Sequence, residues 1–316
     1  MENERAARDA IKAMQEYEVL EGVGHFFDAD PLPLDFVLPG LLRKSVGVLV
    51  AAGSTGKSFL AVEACMTIAA GKDVFGLFGG GDITAGSVAY VALEDPLDVF
   101  WHRIHGIGKY LEENLSEDDY KLIRGGLDNI HLHSLYGRGY RPMKSDDLTA
   151  SPHFKQTVER VKAQGARLVV VDTYSRFLAG HSESDNAIAS TLVSILEQLC
   201  SEANCAVLVI HHTNKASQFS GEQGNQGAAR GASALTDNAR YQLNMWTMPQ
   251  ADAERYGVDD EERKRYVFAE ATKANHMPPQ GMRWLQRQAG GVLIGIDALD
   301  ETPRGRLRRP GGEYDG

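Results

Sequence analysis

Ala51-Ala52-Gly53-Ser54-Thr55-Gly56-Lys57-Ser58 follows a short apolar run, SVGVLVAA over 45–52, and leads into FLAVEACMTIAA over 59–70, which Gly71 closes. The apolar run has the length of a buried strand, and the second stretch has the length and composition of a helix with a glycine C-cap. A glycine-rich turn between a strand and a helix is the setting of the phosphate-binding pattern G-x-x-x-x-G-K-[ST]. Gly56, Lys57 and Ser58 match it, and Ala51 stands at the first glycine position. That substitution is harmless if Ala51 keeps an ordinary backbone conformation. Gly53, Ser54, Thr55, Gly56 and Phe59 then border a triphosphate, with backbone N–H groups and a helix N-terminus turned to the phosphates. Lys57 brings a positive charge to the β- and γ-phosphates, and the Ser58 hydroxyl is a ligand for Mg²⁺. ATP and Mg²⁺ are therefore the expected ligands.

Working outward, SVAYVAL (87–93), RLVVVD (167–172) and CAVLVIH (205–211) read as further buried strands, with a helix over 188–199. Residues 239–246 and 265–269 read as later strands in a mixed or antiparallel region. Strands alternating with helices imply an α/β fold with a mostly parallel twisted sheet flanked by helices. The expected organisation is an N-terminal arm or helix over 1–30, one ATPase domain over 31–300, and a flexible basic tail over 301–316.

Carboxylates at the C-terminal ends of parallel strands sit where ligands bind. Asp172 ends its strand and suits orienting Mg²⁺ together with Ser58. Glu94 and Asp95 follow the second strand. Glu94 is the expected water-orienting carboxylate or base, with Asp95 in reserve. His211 and His212 end the fourth strand, where either can sense the γ-phosphate. Adjacent strand residues face opposite ways, which argues against both binding one metal ion.

The chain has 316 residues, 43% hydrophobic and 24% charged, with a formal net charge of −10. This is ordinary globular composition. The acidity disfavours a nucleic-acid surface spread over the whole molecule, yet a local channel can still be positive. No apolar run reaches the roughly eighteen residues of a membrane span. No secretion signal opens the sequence. Cys65, Cys200 and Cys205 show neither CxxC nor zinc spacing, so buried thiols in a reducing cytoplasm are expected.

The lead-in PLDFVLP (33–39), the phosphate loop, Leu93-Glu94-Asp95-Pro96, Val170-Val171-Asp172-Thr173, His211-His212-Thr213-Asn214-Lys215, GAARGASALTDNARYQ (227–242) and Thr272-Lys273-Ala274-Asn275 occur in a fixed order. In that order they resemble the RepA-type replicative helicases of broad-host-range plasmids, which are RecA-like, DnaB-related hexameric ATPases. The likeness runs from about residue 31 to about 295. It implies a homo-hexameric ring that hydrolyses ATP, translocates on single-stranded DNA and unwinds a forked duplex. It makes Glu94 the catalytic glutamate, Asp172 the strand-end acid, and His211 or His212 the sensor. It makes Arg240 an arginine finger reaching the γ-phosphate of a neighbouring subunit. Arg103 falls where a guanidinium stacks on adenine. Lys273 falls where an ammonium reaches a phosphate across the interface. The family keeps an aromatic after Lys-Ala-Asn, where this chain has His276.

Two loops are expected to face the channel of such a ring. One spans about 175–186 with Arg176, and the other spans 215–230 with Lys215 and Arg230. Six copies would line a channel with cations that track one phosphate backbone. Priming and loading would fall to separate primase and initiator proteins, and no membrane is involved. Two readings from other classes stand beside this one: a RecA-like loader or switch that binds DNA without unwinding, and a P-loop kinase acting on a small molecule.

Overall fold

The computed structural model describes residues 23–28, 30–80, 82–144, 146, 148–183, 185–212, 233–278 and 280–301. They fall into two units, one ending at Asp35 and one beginning at Phe36. The described part of the first contains a short helix, α1 (Gly24–Asp28). The remainder of the expected arm, the 213–232 segment with Lys215 and Arg230, and the basic tail from 302 lie outside the described residues.

The second unit begins with a small antiparallel pair, β1 (Phe36–Leu38) and β2 (Leu41–Leu42). Then come β3 (Val46–Ala51), α2 (Lys57–Ala70), β4 (Ser87–Ala92), α3 (Leu97–Asn114), α4 (Glu117–Gly126) and β5 (Ile130–Ser134). α5 (Pro152–Gln164), β6 (Ala166–Asp172), α6 (Tyr174–Phe177), α7 (Asn186–Ala203) and β7 (Ala206–His212) follow. α8 (Ser233–Asn238), β8 (Tyr241–Thr247), α9 (Gln250–Tyr256), β9 (Tyr266–Ala274), β10 (Arg283–Arg287) and β11 (Leu293–Ile296) complete it. Among the described residues, nine strands form one sheet in the order β11-β10-β9-β8-β3-β7-β6-β4-β5. The six from β8 to β5 are mutually parallel, and β9, β10 and β11 extend the sheet antiparallel. The α/β class and the mixed C-terminal region match the sequence expectation.

Helices cover both faces, so β3 and β6 are buried at every position and read as unbroken apolar runs. Alternate side chains divide between two cores. Leu49, Val170 and Leu208 pack on the α2 side, while Val48, Val169 and Val209 pack on the α7 side. Each such side chain contributes about 1.5–3 kcal/mol on burial. The helices start and stop where the local chemistry dictates. Ser151 caps α5 by accepting from Phe154 N–H at 3.1 Å, with Pro152 at the first helical position. Asp185 caps α7 by accepting from Ala187 and Ile188. Gly71 ends α2 in the left-handed conformation at φ 76°.

This topology brings the C-terminal ends of β3, β7, β6, β4 and β5 to one rim of the sheet, which is where ligands bind in such folds. Among the described residues, no helix is long and apolar enough to cross a membrane.

Candidate nucleotide-binding site

Ala51 remains within β3, and the chain turns between it and α2. Gly56, at φ 106°, occupies a left-handed conformation that side chains disfavour. The second left-handed residue of the loop is Ser54, at φ 62°, and not Gly53, so the turn uses only one of its two glycines for conformational freedom. The first helical bond runs from Leu60 N–H to Gly56 C=O, which leaves the N–H groups before Leu60 unused by the helix and available to an anion. Lys57 is 6% exposed, and its ammonium donates to Ala52 C=O at 2.6 Å. Burial pulls its pKa down to about 8, against the opposing pull of Asp172 and Glu94.

Asp172 ends β6 beneath the loop, and Oδ2 accepts from the Tyr90 hydroxyl at 2.5 Å. Burial raises its pKa, which hydrogen bonds from Tyr90 and Ser58 oppose. Ser58 and Asp172 are thus adjacent hard-oxygen donors. Mg²⁺ typically takes only one or two protein oxygens and completes its shell with water and phosphate oxygens, so this pair fits it. The ion, when bound, neutralises charge on the β- and γ-phosphates.

Glu94 sits just beyond β4. His212 Nε2 lies 3.6 Å from its Oε2. The His212 contact, followed by the Thr173 hydroxyl and Arg176, holds the Glu94 carboxyl down at about 2 against partial burial, so it is ionised at neutral pH. Glu94, Thr173 and His212 line a cleft of ≈ 370 Å³ with Ser54, Lys57 and Ser58. The two histidines separate as strand geometry requires. β7 runs one residue past its expected end, so His212 faces this cleft while His211 points the other way. His211 is 3% exposed and stacks near Tyr174 with ring centroids 5.4 Å apart. Neither of its ring nitrogens has a hydrogen-bond partner among the described residues, and burial drives its pKa down to about 4.

The outer wall of the cleft is aromatic and cationic. Arg103, on α3, pairs with Asp95 at 2.9 Å and lies 5.4 Å from the Phe59 ring centroid. Asp95 is therefore the anchor of Arg103 in this structure. Opposite is a residue that sequence reasoning missed. Arg287 ends β10, and its guanidinium donates to the backbone carbonyls of Ser54 and Thr55 at 3.1 and 2.8 Å. β10 is antiparallel to β9, which is antiparallel to β8, so its C-terminal end returns to the phosphate-loop rim. Gly291, in the following turn, touches the same wall. A Cβ there would lie 2.6 Å from the Phe59 ring. Ala289-Gly290-Gly291 is a legible turn signal, but nothing in the sequence says where Arg287 points.

Arg240, Lys273 and His276 lie elsewhere. Arg240 N–H bonds to Val46 C=O at the beginning of β3. One strand length, about 17 Å at 3.3 Å per residue, separates that point from the phosphate-loop end. The Lys273 ammonium donates to the carbonyls of Thr236 and Asp237 at 3.1 and 2.8 Å, capping the C-terminal turn of α8. His276 is exposed in the turn after β9. As nucleotide ligands within their own chain, these three are ruled out by distance, and only a site on another chain is open to them. Arg176 is exposed on α6, which replaces the start of the expected loop over 175–186.

Residues 15–218 match the AAA domain family AAA_25. The structure is similar to the ATPase domain of G40P, with TM-score 0.56 and 14% identity over 81% of this chain and 86% of that one. It is similar to a DnaB-like replicative helicase solved with regard to its interactions with primase, with TM-score 0.59 and 14% identity over 92% and 71%. A KaiC-like protein, PH0186 from Pyrococcus horikoshii OT3, gives TM-score 0.53 and 12% identity over 84% and 100%. These likenesses establish the RecA-like P-loop ATPase fold. The family match covers well over half the sequence, and the chain belongs to the AAA_25 family of AAA domains.

Proposed function

We propose that this chain is an ATP-driven DNA helicase of the RepA type, working as a homo-hexameric ring on single-stranded DNA during replication of a plasmid or other mobile element. The observation that carries this reading is the 3.6 Å contact between Glu94 and His212. Glu94 stands beside the cleft, where it is placed to hold the attacking water, and its low pKa suits orienting and polarising that water more than accepting its proton. His212 is the last described residue before the segment holding Lys215 and Arg230. Loss of the γ-phosphate would alter the charge facing Glu94, shift its contact with His212, and move that segment against a DNA strand.

Lys57 would leave Ala52 C=O for the β- and γ-phosphates, and the free N–H groups at the start of α2 would hold the α- and β-phosphates. Arg103 and Phe59 offer flat faces to the base. Arg240 supports the ring. Its own cleft is out of its reach, which is what an arginine finger supplied to a neighbouring chain requires. Similarity to a DnaB-like helicase supports the DNA role, with separate primase and initiator proteins as partners in a cytoplasmic setting.

The test combines particle size, ATP hydrolysis with and without single-stranded DNA, and displacement of a labelled strand from a forked duplex. A hexamer whose hydrolysis rises with DNA and which separates the fork is expected, and Lys57→Ala should abolish hydrolysis with folding intact. DNA-stimulated hydrolysis without displacement would leave a loader or switch. A chain that stays monomeric with ATP and DNA present would end the ring reading.

A further inference from the structure

A second cleft, of ≈ 430 Å³, opens at the C-terminal end of the edge strand β5 and is as roomy as the nucleotide cleft. Its composition runs against that of the whole molecule. The chain is acidic by ten charges, yet no carboxylate lines this cleft, while Arg138, Arg160, His133 and His153 do. Neither guanidinium has an ion-pair partner among the described residues.

The cleft is built rather than incidental. His153, Gln156, Thr157 and Arg160 recur at i, i+3, i+4 and i+7, so one face of α5 turns its polar groups inward. Arg138 stands in a turn between Gly137 and Gly139, at φ 68° and 61°, two left-handed positions that hold it over the opening. Beneath lie Tyr140, bonded to Thr157 at 3.1 Å, and His133, 9% exposed and held by Gln164 at 3.1 Å. Burial, Arg160 and His131 together keep His133 below its ordinary pKa, the mark of a positive field that nothing nearby neutralises.

We propose that this cleft is a phosphate-binding site in which Arg138 and Arg160 grip one phosphoryl group, with His153 and Gln156 as further donors. Two guanidiniums suit the planar, bidentate recognition of phosphate oxygens. The source is either a phosphodiester of a single strand or a free phosphate or nucleotide. The strand source rests on the proposed function. The cleft lies on the same rim as the phosphate loop, four strand spacings or about 19 Å from β3, along the path of a strand held near the end of β7.

The experiment compares the wild-type chain with Arg138→Gln/Arg160→Gln. Inorganic phosphate binding is read by calorimetry with the P-loop saturated by a non-hydrolysable ATP analogue. Binding of fluorescein-labelled dT20 is read by anisotropy across a salt series. The double variant should lose at least tenfold in phosphate affinity. For dT20 its salt slope should fall by about 1 to 2, one phosphate contact being worth about 1. Arg138→Lys/Arg160→Lys should restore much of both. Should the double variant fail to fold, as circular dichroism would reveal, the single Arg138→Gln change on the exposed turn is read instead. Lost phosphate binding with unchanged dT20 binding keeps the site and assigns it to free phosphate. If the wild type ignores dT20 while the variant still loses phosphate, the DNA role falls and this site stands. Phosphate binding equal in variant and wild type overturns the proposal.

Discussion

At His211 the imidazole is held neutral by burial, with Lys57 and His212 adding positive charge and the Glu183 carboxylate 4.0 Å away, too far for a hydrogen bond. The folded pKa of about 4 lies below the unfolded value near 6.5, so in that window only the unfolded chain takes up the proton. Stability from this residue is complete above pH 6.5 and is lost as pH falls toward 4, by on the order of 3 kcal/mol at most. Denaturant unfolding measured across that range should show a steep acid limb in the wild type and a shallower one in His211→Phe. Parallel curves would mean that His211 is protonated in the fold. The case also shows what single residues disclose in sequence. Gly56, Lys57, Ser58 and Asp172 were legible because each is fixed to a strand or helix end by local spacing. Which of two adjacent histidines enters the cleft depends on whether the strand ends at 211 or 212, and one residue of error reverses the facing of both. Gly53 was expected to share the conformational load with Gly56. Ser54 takes it instead, because the identity of a loop residue sets what it tolerates and not what the turn demands of it.

The central strands and the helices behind them announce themselves through unbroken apolar runs, since both sheet faces are covered. The edges do not. β5, Ile130-His131-Leu132-His133-Ser134, alternates apolar and polar residues over only five positions, and β10 and β11 are half-exposed. Those weakly marked elements carry both features that sequence reasoning missed, the Arg138 and Arg160 cleft and the Arg287 contact. The β10–β11 hairpin is fastened to α2 at a second point, where Leu293 N–H donates to the buried Glu63 at 2.9 Å. Burial raises the Glu63 carboxyl well above its ordinary range, so it stays protonated and adds no charge behind the phosphate loop. Arg287 then acts as a strut that holds the Ser54 and Thr55 carbonyls outward and their N–H groups toward the cleft. Arg287→Ala should weaken ATP binding roughly fivefold, the equivalent of about 1 kcal/mol for a half-exposed charged hydrogen bond. Arg287→Lys should recover only part, because an ammonium lacks the planar fork. Nucleotide titration of the two variants decides it, and an unchanged ATP affinity in Arg287→Ala would reduce the contact to packing.

For the molecule as a whole, the decisive geometry is polarity. Phosphate loop, Glu94 and His212 gather at one rim of the sheet, and Arg240, Lys273 and His276 gather at the start of β8 and the end of β9. Two unlike surfaces on one chain meet only in a head-to-tail arrangement, which closes into a ring when the rotation allows. Lys273 departs from its expected part, since its ammonium already serves two α8 carbonyls, and a phosphate would have to draw it away from them. Arg240 has no such side-chain commitment among the printed contacts of the described residues. Arg240→Ala should therefore keep nucleotide binding and lower turnover by on the order of a thousandfold, while Lys57→Ala is inactive for its own reason. In mixed assemblies a complete site needs Lys57 from one chain and Arg240 from the next. Equal amounts of the two inactive variants should then regain roughly one quarter of wild-type hydrolysis if sites work independently, and less if they fire in order. Activity is followed as the mixing ratio is varied after disassembly and reassembly. A maximum near equal proportions places Arg240 across the interface, and a flat line at the background of the separate variants removes it from the site.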